Sequence, residues 1–137
     1  MPFKLEVSAG EGLVRATATG RICVDDVIGH MTRVKLTGAS RFPALIDATR
    51  AESVGVSLRD LLSLAHHAHG EFGEGFMAPR AVLVASRRHF EWARVYAALV
   101  AGWMSVGVFT DREEALRWLE HRSEQSNQGA VRRVATG

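Results

Sequence analysis

The first twenty residues alternate. Phe3, Leu5 and Val7 are interleaved with Lys4, Glu6 and Ser8, and after Ala9-Gly10-Glu11-Gly12 the alternation resumes as Val14, Ala16 and Ala18 against Arg15, Thr17 and Thr19. A period of two on both sides of a glycine turn predicts a hairpin with one wet face. At Gly20 the period changes. Val24, Val27, Ile28, Met31 and Val34 recur at helical spacing, and Asp25 and Asp26 occupy the first turn, where the helix dipole favours negative charge. Cys23 falls at the N-cap, a position better suited to serine or threonine.

Three later apolar runs, Ala44 to Ile46, Ala81 to Ala85 and Val106 to Phe109, lack alternation, as strands covered on both faces do. The stretch Pro43 to Ser57 organises the chain: a central strand ends in Asp47, an exposed tip passes through Thr49 and Arg50, and a helix starts at Ser57. Ser57 and Asp60 form a capping-box pattern, followed at helical spacing by Leu58, Leu61, Leu62, Ala65 and Ala68. Phe90 to Trp103 is a second helix, and Asp111-Arg112-Glu113-Glu114 opens a third that buries Ala115, Leu116 and Leu119. The order β-β-α-β-α-β-α-β-α predicts an α/β fold: one small domain with a mostly parallel sheet, right-handed crossovers and an antiparallel N-terminal edge strand. Residues 1–120 form this domain, and 121–137 form a polar, solvated tail. Gly70 to Pro79 is a long connection that packs Phe72, Phe76 and Met77 as a plug or moves as a lid; the plug is favoured.

Composition narrows the function. A chain of 137 residues with 47% hydrophobic and 23% charged residues supports a single core and excludes bulk disorder. The net charge of +2 comes without a basic stripe interleaved with aromatics, so no nucleic-acid partner is expected. One cysteine, Cys23, precludes an internal disulfide and suits a reducing cytoplasm. The amino terminus is too short and too charged for a signal peptide. The longest apolar stretch, Trp92 to Val108, is broken by Arg94, Gly102, Ser105 and Gly107, so no membrane span is expected and the protein is placed in the cytoplasm.

The hairpin with Gly20, the helix with Asp25-Asp26, the strand ending Leu45-Ile46-Asp47, the run Ala81-Val82-Leu83-Val84, and Val108-Phe109 followed by Asp111, Glu114-Ala115-Leu116 and Trp118-Leu119 together resemble the STAS/SEC14-like (SpoIIAA-like) bacterial domains. These are related in fold to the anti-sigma-factor antagonists. The resemblance covers roughly Phe3 to Glu120 and implies a right-handed βα superhelix with parallel strands in sequential order. In the antagonist branch a serine at the start of the helix after the central strand is phosphorylated, usually after an aspartate. Ser57 falls at about that place, but Gly55 and Val56 precede it. The resemblance to SEC14-type relatives implies lipid binding.

Ligands of parallel sheets collect beyond the carboxyl ends of the strands. Asp47, Arg50, Ser57, Ser86 and Arg87, with Arg94, are therefore candidates for a site taking a small amphipathic or anionic ligand, through guanidinium groups and helix N-termini. Caps and solvated charges are the plain alternative, including an Asp47–Arg50 ion pair. Trp92, Tyr96 and Trp103 make a surplus apolar stripe, for a homodimer, another protein partner or an apolar ligand, or for burial beneath the neighbouring helix. His66 and His69 share a helical face without a convincing third ligand, so no metal is assigned. No nucleophile elbow, phosphate loop or dinucleotide fingerprint occurs. The expected function is a non-catalytic regulatory or binding domain with no cofactor. A phospho-switch at Ser57 and an enzyme using Asp47 or a metal are the alternatives.

Overall fold

The computed structural model describes residues 3–8, 12–73 and 77–123, so the tip of the hairpin, Phe76 of the expected plug and the polar segment 124–137 lie outside the described residues. The strands are β1 (Phe3–Ser8), β2 (Leu13–Cys23), β3 (Ala44–Gly55), β4 (Arg80–Leu83) and β5 (Val106–Phe109). The helices are α1 (Val24–Thr37), α2 (Leu58–Phe72), α3 (Arg87–Val100) and α4 (112–123). The described strands form one sheet in the order β1-β2-β3-β4-β5, with β1 antiparallel to β2 and the remaining pairs parallel. The α/β class, the order of elements and the central position of β3 are as the hydrophobic pattern predicts.

The strands run further than the pattern implies. β2 continues through Gly20 to Cys23, because Gly20 adopts φ +71° and takes up an irregularity in the ladder. Pairing then resumes, with Arg21, Ile22 and Cys23 opposite Ser53, Val54 and Gly55. Asp47 to Arg50 is therefore not a strand tip: β3 extends to Gly55 on the ladder that β2 supplies, whereas β4 pairs only with Ala44–Asp47. Beyond Asp47 the two long strands continue as a ribbon.

Helix boundaries follow the caps. Cys23 and Asp26 form the box that opens α1, with the Cys23 amide and thiol both donating to Asp26 Oδ2 at 2.9 and 3.1 Å. Gly38, at φ +74°, closes the same helix in the left-handed conformation. Ser57 opens α2, its Oγ accepting from the Asp60 amide at 3.2 Å while its own amide donates to Asp60 Oδ2 at 2.9 Å. α2 continues through Phe72, so Gly70, Glu71 and Phe72 belong to the helix and not to the connection. α3 starts three residues earlier than its apolar pattern suggests, because Ser86 Oγ accepts from the His89 amide and the helix begins at Arg87. Its last turn ends at Val100, leaving Trp103 in the following turn.

The sheet separates two cores. On one face Val14 and Ala44 pack with Met31 and Val34 of α1, Ala65, Ala68 and Phe72 of α2, and Val100 of α3; Met77 packs against this cluster. On the other face Leu45, Ala81 and Leu83 pack against Ala115 and Leu119 of α4. Three helices thus cover one side and α4 the other.

Leu64 lies on the α2 side facing the sheet, 1% exposed. Leu64→Ala is expected to lower the unfolding free energy by about 3 kcal/mol, read from urea denaturation, through lost transfer energy and enlarged void.

Candidate functional site

Between the sheet and helices α1, α2 and α3 lies a cavity of about 150 Å³. Small residues make it. Ala18, Ala48 and Ala51 of the long strands and Ala93 of α3 occupy positions that larger side chains would fill. Val27, Met31 and Val34 of α1 form one wall, Leu64 and Phe72 a second, and Trp92 and Tyr96 of α3 a third. Trp92 is held in place by donation from Nε1 to the Val56 carbonyl at 3.1 Å, which ties α3 to the end of the ribbon. Burial pushes the Tyr96 hydroxyl up to about 12.

Two further titratable residues, Arg80 and His30, border this apolar space. Arg80, at the start of β4, is 4% exposed, and its two terminal nitrogens donate to the carbonyls of Phe42 and Ala39. These bonds fasten the short 3-10 turn Ala39–Arg41 that follows α1, and the Ala78 amide adds a bond to the Ser40 carbonyl at 2.9 Å. Among the described residues no carboxylate pairs with Arg80. Burial lowers its guanidinium to about 10, so it stays charged at neutral pH. His30 of α1 stacks on Phe3 with ring centroids 4.8 Å apart. Burial, then the Arg80 and Arg33 charges, hold its imidazole at about 4, so it is neutral at neutral pH.

The residues singled out from sequence go to several places. Asp47 lies on the α4 side of the sheet and pairs with Arg112 of α4 rather than with Arg50. Burial alone would raise its carboxyl, but bonds from the Thr49 hydroxyl and amide, at 2.6 and 3.0 Å, and the Arg112 charge outweigh this and hold it below its usual value. Arg50 is exposed opposite Thr19. Ser57 and Ser86 are helix caps, Arg87 contacts Glu91 one turn on at 3.3 Å, and Arg94 lies over the Phe90 ring at 5.9 Å. Among the described residues no hydrogen bond or ion pair joins any two of these six. Trp92 and Tyr96 do come together, on the cavity wall, while Trp103 packs against the core and meets His69 at 4.7 Å. Of the histidine cluster, His66 is exposed and His67 is 4.0 Å from Glu71, which also pairs with Lys35 at 2.8 Å. Among the described residues no three ligating side chains gather into a metal site.

Arg80 and His30 were not singled out from sequence. His30 carried a signal, since it follows Val27 by three residues and precedes Val34 by four, on the apolar stripe of α1. Arg80 carried none beyond standing at the edge of an apolar run.

The fold is similar to that of several solved structures. A DUF3478-family protein with a SpoIIAA-like fold from Shewanella loihica PV-4 matches 85% of this chain and 91% of its own at 23% identity, with a TM-score of 0.51. The fold is SpoIIAA-like. The unphosphorylated anti-sigma factor antagonist SpoIIAA matches 86% of this chain and 97% of its own at 14% identity and TM-score 0.52. An anti-sigma factor antagonist from Mycobacterium paratuberculosis gives 86% and 94% at 14% identity and TM-score 0.53. No protein-family model and no curated protein sequence matches the chain. Among the described residues no helix is long and apolar enough to cross a membrane.

Because the folded His30 titrates near 4 and an unfolded histidine near 6.5, its contribution to stability is complete above about pH 6.5 and declines as pH falls toward 4. Urea midpoints measured at about pH 7 and about pH 5 should show a loss approaching 1.4 kcal/mol per pH unit at most, and His30→Gln should remove that part of the slope.

Proposed function

We propose that this chain is a non-catalytic binding domain that holds a small amphipathic ligand between its sheet and helices α1 to α3. The observation that carries this reading is the cavity of about 150 Å³, apolar along its walls and bordered by one buried guanidinium. An engineered apolar cavity of similar volume takes up benzene, so a space of this size and lining suits a small apolar body. The titratable residues along its walls, a neutral His30, a Tyr96 with a raised phenol and a charged Arg80, suit holding a ligand better than transferring a proton at neutral pH.

NMR titration with 1-hexanol should give saturable shifts at the amides of Ile22, Ala51 and Trp92, and Ala48→Leu, which fills the space, should abolish them. Absence of saturable shifts in the natural chain would overturn the cavity reading.

A second reading, a protein partner, has its own observation. Leu58 and Leu62 stand one turn apart on α2 at 65% and 53% exposure, beside the Ser57 cap, with exposed Val95 on the neighbouring α3. The solved neighbours named as anti-sigma factor antagonists favour a regulatory partner. A homodimer through this face is its simplest form. Light scattering after size exclusion should give a dimer mass that Leu58→Ser with Leu62→Ser reduces to a monomer; a monomeric natural chain removes the homodimer. Phosphorylation of Ser57 would gain from the α2 dipole but place its charge against the Asp60 carboxylate of the same cap.

A further inference from the structure

The cavity reading leaves the polar end of the ligand open, and Arg80 addresses it. A fully buried charge is retained only when partners offset its desolvation, and an unpaired one is costly. Arg80 has two carbonyl partners and, among the described residues, no anion. Two of its five N–H donors are used there. The clamp on the Ala39–Arg41 turn accounts for those two bonds but not for the charge, since any long neutral donor would serve carbonyls without the desolvation cost of a cation. The same side chain lines the apolar cavity.

We infer that the cavity takes a medium-chain monocarboxylate, its carboxylate on the Arg80 guanidinium and its aliphatic body along the alanines of β2 and β3 toward Trp92. This rests on the cavity reading above and adds the head group and the size. Guanidinium and carboxylate match in geometry and form short, charge-assisted bonds. One buried cation offsets one negative charge, so a monoanion leaves no residual charge, whereas a phosphate dianion would. The neutral imidazole of His30 adds a polar group without adding charge. The volume matches an apolar body of about six carbons, since a cavity of this size is filled by a benzene-sized molecule.

The test compares hexanoate with 1-hexanol at neutral pH by NMR titration, in the natural chain and in Arg80→Met. Hexanoate is expected to bind the natural chain at least about tenfold more tightly than hexanol, as a charge-assisted bond in a dry site provides. In Arg80→Met the preference should vanish while hexanol still binds. Hexanol binding equal to or tighter than hexanoate in the natural chain overturns the inference and leaves the cavity reading standing. Failure of both ligands to bind removes the cavity reading itself. A hexanoate preference that survives in folded Arg80→Met overturns the assignment to Arg80. Should that variant fail to fold, Ala48→Leu replaces it: with Arg80 intact, loss of both ligands supports the cavity as the binding place, and retained hexanoate binding overturns it.

Discussion

The parallel pairing of β2 with β3 is the constraint on which the other elements depend. It runs from Val14 and Ala44 to Cys23 and Gly55, well past the end of β4, and it resumes after two register shifts, the second taken up at Gly20 with its positive φ. Its length decides where α1 and α2 begin, since Cys23 caps one helix directly and Val56 and Ser57 lead into the other. The ribbon beyond β4 also gives the cavity its floor. Ile22 and Ala51 line it from the ribbon, and the Trp92 indole fixes α3 to the carbonyl of Val56 just beyond.

At the opposite end Arg80 joins architecture to chemistry. Its bonds to Phe42 and Ala39 hold the turn that returns the chain from α1 to β3, so the start of the central strand and the charged border of the cavity rest on one side chain. The asymmetry of the layers explains why the space lies on this face. Leu45, Ala81 and Leu83 meet Ala115 and Leu119 of α4 in a small cluster, whereas three helices must span the side where β2 and β3 present alanines. Close packing of one helix against a sheet is easier to satisfy than joint packing of three.

The polar residues that position in the sequence suggested as a ligand site follow a different logic. Asp47 is occupied by Thr49 and Arg112, Ser57 and Ser86 by helix amides, and Arg87 by Glu91. Residue type and position made them plausible as a ligand site. Each instead satisfies a need local to its own element or to α4.

Periodicity alone determined the class, the order of elements and the central place of β3, because alternation, helical spacing and caps are local properties of the chain. It also indicated that Trp92 and Tyr96 form a stripe beyond what covering a sheet requires. Tertiary structure decided that this stripe faces inward, that β3 outlasts its apolar run, and that Arg80 enters the interior. The reason is physical: a strand lengthens wherever a partner supplies hydrogen bonds, and a cation is buried only where distant carbonyls converge on it. Ala39 and Phe42 lie about forty residues before Arg80, at separations of 41 and 38, and no local pattern joins them.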